Sequence, residues 1–511
     1  MDNRPKSREK HVTGQGKDIN KRGEGLGSGP VGSTGGRSGQ NTQNPAGGSS
    51  NRAGGTAARG KGSLIGIILA AVLLLGGGGA GLSGLFSGGT QDAAPAGGYT
   101  GSGSTASSSS SAAGSQGLDL SSLFSGFGNT ASGWSNTANT GKLNTSVAAG
   151  AREKRTVLRG GGEDTVTLMV YMCGTDLESK YGMGTADLQE MAAATLSDKV
   201  NIIVYTGGCK QWKTTSISSS VNQIYKVESG GLRLLEGDMG NPAMTKPSTL
   251  TGFIQYCAKN YPADRNMLIF WDHGGGSLSG YGYDEKNTAA GSMGLSGINT
   301  ALKDAGETFD FIGFDACLMA TLENALMLTE YADYLIASEE TEPGVGWYYT
   351  NWLTKLSADT SMSTLEIGKN IVDDFISVCD QKCKGQKTTL SVVDLAELET
   401  AAPEKLKSFA AGTSALLQGS DYKTVSTARS GAREFASSNT IDQVDLIHLA
   451  YNLDTKESRA LAETLLGAVK YNKTSSSMTD AYGLSIYFPY QRTSTVASAV
   501  AAYDAIGMAS A

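Results

Sequence analysis

Short apolar runs that alternate with stretches of helical spacing constrain the fold of this chain more than any other feature of its sequence. Each run is apolar on both faces, as strands are when helices cover both sides of a sheet. The alternation of strand and helix therefore predicts an α/β fold built on an open, mostly parallel sheet. The runs are Thr167–Met172, Asn201–Tyr205, Met267–Trp271, Phe311–Phe314 and Tyr334–Ala337.

Helical spacing dominates after about residue 360, where two further strands are predicted at Thr389–Val393 and Leu484–Phe488. We interpret residues 164–360 as the core of the fold. Residues 361–511 are interpreted as a smaller, mostly helical C-terminal subdomain that completes the same unit. The strand at Leu484–Phe488 is a candidate to return to the main sheet.

The first third of the chain has the wrong composition for a packed core. Residues 1–62 carry eleven Lys and Arg against four Asp and Glu, with hardly any large apolar side chain. Such a segment buries too little apolar area to offset its ordering entropy, so we expect a disordered basic tail. Residues 87–163 are rich in Gly, Ser, Ala and Thr and are predicted to form a flexible extracellular linker. Within it, the basic stretch 151–159 is either a site for a trypsin-like activity or a charged linker edge.

Residues 63–86 are a candidate transmembrane helix. No charged residue lies between Lys61 and Asp92, and Leu64–Leu75 is apolar apart from one glycine. Those residues cover about 18 Å of a hydrocarbon core near 30 Å, so the helix has to continue into the glycine-rich stretch that follows. A cleaved signal peptide is the alternative, with an unusually long basic region. The basic residues before the span predict a single-pass cell-membrane protein with a cytoplasmic N-terminus and an extracellular remainder.

Two motifs follow directly after predicted strands. WDHGGG spans Trp271–Gly276, and FDACLMA spans Phe314–Ala320. The carboxyl ends of parallel strands meet at one edge of a sheet, where loops gather catalytic and binding groups. His273 and Cys317 can therefore meet in space, although they are 44 residues apart in the sequence.

This pair of residues fits acyl transfer. Cys317 is the expected nucleophile, and a helix beginning near Leu318 and an adjacent imidazolium would lower the pKa of its thiol. His273 is the expected acid/base that protonates the leaving amine. The amides of Gly274 and Cys317 are the predicted oxyanion hole. Alone, a buried Cys is usually a small hydrophobic residue, and it is the pairing at two strand ends that favours catalysis.

At these residues the sequence resembles the clostripain-like cysteine peptidases, a branch of the clan that includes caspases, legumains and gingipains. The resemblance covers most of residues 164–490. It implies a caspase-like α/β/α sandwich, a dyad of His273 and Cys317, and a thioester acyl-enzyme. Besides WDHGGG and FDACLMA, the motifs that carry it are VYMCGTDL (Val170–Leu177), SEETEPGVGW (Ser338–Trp347) and GLSIYFP (Gly483–Pro489).

The same resemblance links the acid two residues before the nucleophile, Asp315, to a preference for Arg or Lys at P1. Such a carboxylate pairs with a guanidinium or ammonium group and is costly to leave buried beside a neutral side chain. The alternative role for Asp315 is a helix N-cap. Glu339, Glu340 and Glu342 follow the next strand and are expected to add negative potential to the substrate site. Val345 stands where some relatives have an acid, which makes a strict preference less certain.

Family members are often activated from a zymogen by cutting themselves after a basic residue between His and Cys. Lys286 lies in the polar stretch Tyr283–Thr288, thirteen residues after His273. We therefore predict that Lys286 is an autoprocessing site. The alternative is an ordinary surface lysine.

The remaining Cys and His residues have weaker signals. Cys173 and Cys209 follow strands and either line the site or pack in the core. Cys379 and Cys383 are one helical turn apart, where a disulfide is conceivable but strained. His448 lies in an apolar helix and is expected to pack or cap. With three histidines in the chain and no His-Cys cluster, we expect no zinc site.

These observations predict a membrane-anchored, monomeric cysteine endopeptidase acting on proteins or peptides with Arg or Lys at P1. Two alternatives stay open: a non-catalytic surface module that binds basic peptides, and a transpeptidase in which an amine opens the thioester. No cofactor is expected to be required, and a calcium site, known in some relatives, cannot be assigned. The formal net charge of −7 argues against nucleic acid as the main partner.

Overall fold

The computed structural model describes residues 141–437, 441–490 and 495–508. Two sheets organise the described residues: a nine-stranded sheet and a two-stranded sheet. The strands are β1 (Val166–Cys173), β2 (Val200–Gly207), β3 (Gln223–Glu228), β4 (Gly231–Glu236), β5 (Arg265–Trp271), β6 (Phe309–Asp315), β7 (Ala332–Ala337), β8 (Thr389–Asp394), β9 (Gln443–Asp445), β10 (Val469–Thr474) and β11 (Ser485–Tyr487).

The large sheet has the order β10-β8-β7-β6-β5-β1-β2-β3-β4. Its middle strands, from β7 to β2, run parallel to their neighbours. Antiparallel strands extend both flanks, β8 and β10 on one side and β3 and β4 on the other. The predicted α/β fold with a mostly parallel sheet is confirmed.

Helices cover both faces of this sheet. Because side chains alternate along a strand, Met169 and Tyr171 of β1 enter one core, whereas Leu168 and Val170 enter the other. The helices are α1 (Thr175–Tyr181), α2 (Met183–Ala192), α3 (Pro247–Asn260), α4 (Gly276–Ser279), α5 (Leu295–Ala305), α6 (Leu322–Leu328), α7 (Tyr349–Ala358), α8 (Thr364–Lys382), α9 (Leu395–Gln418), α10 (Tyr422–Gly431), α11 (Leu446–Leu453), α12 (Lys456–Ala468) and α13 (Val496–Asp504).

Different sets of helices cover the two faces of the sheet. One face of the sheet packs against α1, α2, α7 and α8. The other packs against α3, α5, α6 and the helices from α9 to α12. The result is a three-layered α/β/α sandwich, and residues beyond 360 contribute both to its layers and to its sheet.

The last strand does not return to the main sheet. β11 pairs antiparallel with β9 in the small sheet, and Ser485 also bridges to Thr321. The edge of β10 is already covered, because the Asn144 amide donates to the Lys470 carbonyl at 2.8 Å. The main sheet instead gains β8, which was predicted at Thr389–Val393, and β10.

The last part of the predicted linker contacts the folded core. Residues 141–163, here named the strap, run along the edge of β10 and then beneath the amino-terminal ends of the parallel strands. The Arg152 guanidinium binds the Asp333 carboxylate at 2.7 Å, and the Thr156 hydroxyl donates to Asp310 at 2.7 Å. The composition of the strap does not predict this contact with the core, because polar contacts and little apolar burial hold the strap in place.

Several predictions about the N-terminal region lie outside the described residues. They are the basic tail at 1–62, the membrane span at 63–86 and the linker up to residue 140. Within the described part of the chain, no helix is both long enough and apolar enough to cross a bilayer.

Candidate active site

The loops that carry His273 and Cys317 leave the sheet side by side. β5 and β6 are parallel neighbours, and Trp271 is paired in register with Asp315. His273 and Cys317 each lie two residues beyond that pair. The two residues therefore start from the same depth of the same sheet edge.

Gly274 joins the two loops through backbone contact. A Cβ atom built on Gly274 would lie 2.0 Å from the Cys317 carbonyl oxygen, far inside any tolerated distance. The position therefore accepts no side chain without moving the loop that carries Cys317. The glycine after the histidine is what lets the two loops touch.

Cys317 is buried, and its sulfur is held by backbone from a third loop. The Glu342 amide donates to Cys317 Sγ at 3.2 Å. The next residue, Leu318, has φ of 68°, a left-handed conformation that is rare for a branched side chain. Its carbonyl accepts a hydrogen bond from Gln443 Nε2 at 3.1 Å. Strained backbone of this kind is concentrated at functional sites.

The helix expected near Leu318 begins later, at Leu322. Thr321 caps it by accepting a hydrogen bond from the Asn324 amide. The left-handed turn at Leu318 prevents the helix from starting next to Cys317. The group that donates a hydrogen bond to the sulfur is the Glu342 amide.

His273 is buried against the first turn of α1. Its Nε2 atom lies 2.8 Å from Asp176 Oδ1. Asp176 also binds Lys180 Nζ, one helical turn later, at 3.1 Å. Burial alone would raise the pKa of Asp176, but the hydrogen bond and charge of His273, together with Lys180, hold that pKa well below its usual range.

Asp315 is fully buried at the end of β6. The Tyr349 hydroxyl donates to its Oδ2 atom at 3.0 Å. Since Thr321 caps α6, Asp315 is not the N-cap of that helix. The side chain of Trp347 packs on Gly313 of the same strand, where an added Cβ would lie 2.8 Å from the indole ring. The predicted role of Asp315 in specificity stays a prediction.

Glu339 and Glu340 were expected to add negative potential to the substrate site. Both carboxylates are buried and make contacts within the domain. Glu339 Oε2 accepts the Gly483 amide at 2.9 Å. Burial and the neighbouring Asp445 raise the pKa of Glu339 well above its usual range, which favours a proton shared by the pair. Glu340 Oε1 accepts the Ala436 amide at 3.0 Å. Sequence reasoning missed this because both partners come from distant parts of the chain.

Comparison with known proteins agrees with this geometry. The model of the clostripain family matches residues 170–494, which is more than half of the chain.

The chain belongs to the clostripain family of C11 peptidases.

Among curated relatives, clostripain from Hathewaya histolytica is 28% identical over 225 residues, which cover 38% of this chain and 42% of that protein. The chain thus matches less than half the length of this relative. Among solved structures, the secreted C11 cysteine protease iotapain from Bacteroides thetaiotaomicron is 18% identical, with a TM-score of 0.51, over 67% of this chain and 99% of that chain. An inactive zymogen C11 protease from Parabacteroides distasonis is 19% identical, with a TM-score of 0.45, over 66% of this chain and 95% of that chain. The fold and the family expected from the motifs are confirmed.

One residue of this clostripain-family site escaped the sequence reasoning. Asp176 lies in VYMCGTDL, one of the motifs that carry the family resemblance. The available signal was its position just after β1, the neighbour of β5. That pairing was not deducible from the sequence, because 97 residues separate Asp176 from His273.

Lys286 lies on a turn that the structure ties down. Asp284 Oδ1 accepts the amides of both Lys286 and Asn287 at 2.8 Å. Lys286 Nζ donates to the Ser220 carbonyl at 3.1 Å, and burial lowers the pKa of this lysine from its usual value. The Lys286–Asn287 bond is therefore held within a hydrogen-bonded turn in this conformation.

The remaining described Cys and His residues are buried or partly buried. The six cysteines are buried and form no disulfide among the described residues, so the bond considered for Cys379 and Cys383 is not formed. The hydrogen bond with Cys379 lowers the pKa of Cys383 to about 7. His448 Nδ1 accepts the Arg433 amide at 3.1 Å, in line with the packing role expected of it. Among the described residues, no group of three or more His, Cys, Asp and Glu side chains could hold a metal ion.

Proposed function

We propose that this chain is a membrane-anchored extracellular cysteine endopeptidase that cleaves proteins or peptides after Arg or Lys. The observation that carries the proposal is the contact between the Gly274 and Cys317 loops, which joins the His and Cys strand ends at one sheet edge. Membership of the clostripain family supports the same reaction class.

In this reaction the Cys317 thiolate attacks the carbonyl carbon of the scissile peptide bond. A carbon–sulfur bond forms, and the former carbonyl oxygen becomes an oxyanion. The His273 imidazolium gives its proton to the departing amine, which breaks the carbon–nitrogen bond and leaves a thioester. Water then attacks the thioester carbonyl and gives a proton to His273, the carbon–sulfur bond breaks to release the carboxylic acid product, and the thiolate–imidazolium pair is regenerated.

The oxyanion is assigned to the backbone amides of Gly274 and Cys317. The closeness of these two backbone segments supports the assignment, since an oxyanion hole needs two donors aimed at one point. A glycine at position 274 also leaves room for the substrate to approach its amide. Both donors belong to rigid loops at strand ends, so they require little reorganisation during the reaction.

Specificity for Arg or Lys is assigned to Asp315. A fully buried carboxylate two residues before the nucleophile favours a cationic P1 side chain, since pairing offsets the desolvation of both charges. The Tyr349 hydroxyl would hold this carboxylate in position. Glu339 and Glu340 are not assigned a contact with the P1 side chain, because their carboxylates accept hydrogen bonds within the domain.

Location and activation complete the proposal. Residues 63–86 would anchor the chain with the catalytic domain outside the cell, and the secreted relative iotapain supports an extracellular site of action. Self-cleavage after Lys286 would activate the enzyme. In the conformation described here, the hydrogen bonds of Asp284 to this turn would have to break first.

A P1 scan with fluorogenic peptides on the full chain tests the proposal. We expect turnover of Arg and Lys substrates, its loss in Cys317→Ala, and its retention in the control Cys257→Ala, which removes a buried thiol on α3. Mass spectrometry of the products with an added amine separates hydrolysis from transpeptidation. Tight binding of basic peptides without turnover would overturn the proposal in favour of a binding module.

A further inference from the structure

We propose that Asp176 is the positioning residue of His273, so that three adjacent strands of the sheet supply an Asp, a His and a Cys in line. The inference rests on the proposed function, because it assigns a role in the same reaction. It adds a third residue to a site that the sequence motifs described as a pair.

The topology places the three residues in order. β1, β5 and β6 are consecutive parallel strands, with Met172 in register with Trp271 and Trp271 in register with Asp315. Asp176 follows β1, His273 follows β5 and Cys317 follows β6. The imidazole therefore comes from the middle strand, with the carboxylate on one side and the thiol on the other.

The backbone of the turn that carries Asp176 is restricted to one conformation. Thr175 has φ of 43°, in the left-handed region that a β-branched residue rarely adopts. A Cβ on the preceding Gly174 would lie 2.9 Å from the Cys209 side chain, so this glycine has no room for a substituent. The strain at Thr175 and the close packing at Gly174 fix the start of α1 and with it the direction of Asp176.

The charges around this contact favour a permanent Asp176 carboxylate. Lys180 binds it from the next turn of α1 at 3.1 Å, and the charge of Glu285 acts in turn on Lys180. Asp272 is the acid next to His273 in the sequence. Its Oδ2 atom accepts a hydrogen bond from the Tyr283 amide at 2.7 Å. Asp176 is the acid that lies within hydrogen-bond distance of His273 Nε2.

This contact has two chemical consequences. A proton on Nε2 directed at Asp176 selects the neutral tautomer whose Nδ1 atom exchanges the proton with the thiol and the leaving amine. The carboxylate also stabilises the imidazolium of the thiolate–imidazolium pair. Asp176 itself does not touch the substrate, so its effect passes through His273.

The pH dependence of the full-length enzyme tests this role. In Asp176→Asn the side chain keeps its shape but loses its charge. We expect kcat/KM for an Arg substrate to fall about 10- to 100-fold, because the acid/base remains but is less well oriented. We also expect the alkaline limb of the profile to move down by about one pH unit, because the imidazolium loses an opposite charge.

A second variant keeps the test decisive if Asp176→Asn folds poorly. Lys180 is half-exposed, so Lys180→Met should fold normally. Removing its positive charge strengthens the hold of Asp176 on the imidazolium, and the alkaline limb should move up by about 0.3 unit. Shifts in opposite directions for the two variants would support the proposal.

The outcomes are distinguishable from those of the proposed function. Turnover by the unaltered protein tests the peptidase itself. The rate at which iodoacetamide alkylates Cys317, measured against pH, reads the thiolate–imidazolium pair without any peptide substrate. Unshifted profiles in both variants, or a loss of thermal stability in Asp176→Asn with an unchanged pH profile, would reduce Asp176 to a structural role and overturn the inference.

Discussion

Buried carboxylates lie at both ends of the parallel strands, but their partners differ between the two ends. At the sheet edge that holds their amino-terminal ends, carboxylates are paired with cations from the strap, such as Asp333 with Arg152 and Asp394 with Lys154. At the carboxyl ends, Asp315 accepts a hydrogen bond from a tyrosine hydroxyl, and Glu339 accepts one from a backbone amide. The acids at the strap edge are paired with cations of the chain itself, whereas Asp315 is the acid that we assign to a preference for Arg or Lys.

This difference separates stability from catalysis along one set of strands. Changes in the strap should lower the free energy of unfolding and leave turnover alone. Changes at the carboxyl ends should lower turnover more than stability.

The largest effect is expected from Gly274→Ala. The new methyl group would collide with the Cys317 carbonyl oxygen, which lies 2.0 Å from the ideal Cβ position. Moving the nucleophile by a fraction of an ångström should lower kcat/KM by at least about 100-fold. The matched control is Gly252→Ala on α3, where nothing lies within 4 Å of the added Cβ. Equal activity in the two variants would refute the contact.

The next largest effect is expected from Arg152→Ala in the strap. This change removes the ion pair with Asp333 and a hydrogen bond to the Ala332 carbonyl. We expect the free energy of unfolding to fall by about 2 kcal/mol, because a buried carboxylate loses its cation. Urea denaturation measures the loss, and kcat/KM should stay within about twofold because the two edges are independent.

Arg159→Ala is the control for that experiment. Arg159 also binds a carboxylate, Asp264, but its side chain is 65% exposed. An exposed pair of this kind contributes about 0 to 1 kcal/mol. A loss as large as that of Arg152→Ala would show that position in the strap, and not burial, decides the effect.

A smaller effect concerns pH and the Glu339–Asp445 pair. Burial raises the pKa of Asp445 to about 7, and the pKa of Glu339 is raised as well. The folded state therefore keeps a proton that the unfolded chain releases near pH 4, so this stability is present at low pH and is lost as the pH rises through about 7. Between pH 5 and pH 9 we expect a loss of about 2 kcal/mol.

The variant Glu339→Gln checks the source of that dependence. Its amide resembles the protonated carboxyl group and cannot ionise. Thermal unfolding measured from pH 5 to pH 9 should therefore show a flatter dependence than in the unaltered chain. An equally steep dependence in both proteins would assign it to other groups.

The sequence predicted the centre of the sheet well. The five apolar runs fall within β1, β2, β5, β6 and β7, because strands buried on both faces leave a continuous apolar signal. The hairpin of β3 and β4 was missed, because Arg233 and Leu234 are exposed and the strand mixes polar and apolar residues. Apolar runs therefore locate central strands better than edge strands.

The candidate site was predictable only in part. His273 and Cys317 stood out because each follows an apolar strand in an unusual motif. Asp176 and the true start of α6 depended on strand order and on the left-handed turn at Leu318, which no local pattern encodes. The strap was missed because its contacts are ion pairs and hydrogen bonds, which composition does not reveal.

Covalent labelling tests the central claim most directly. The full chain is treated with a peptide whose P1 residue is lysine and whose carboxyl end carries a thiol-reactive group, and the modified cysteine is located by mass spectrometry. The account predicts a single adduct on Cys317, which forms more slowly in Asp176→Asn and not with a P1 aspartate peptide. An adduct on another buried cysteine such as Cys209, or equal labelling by both peptides, would contradict it.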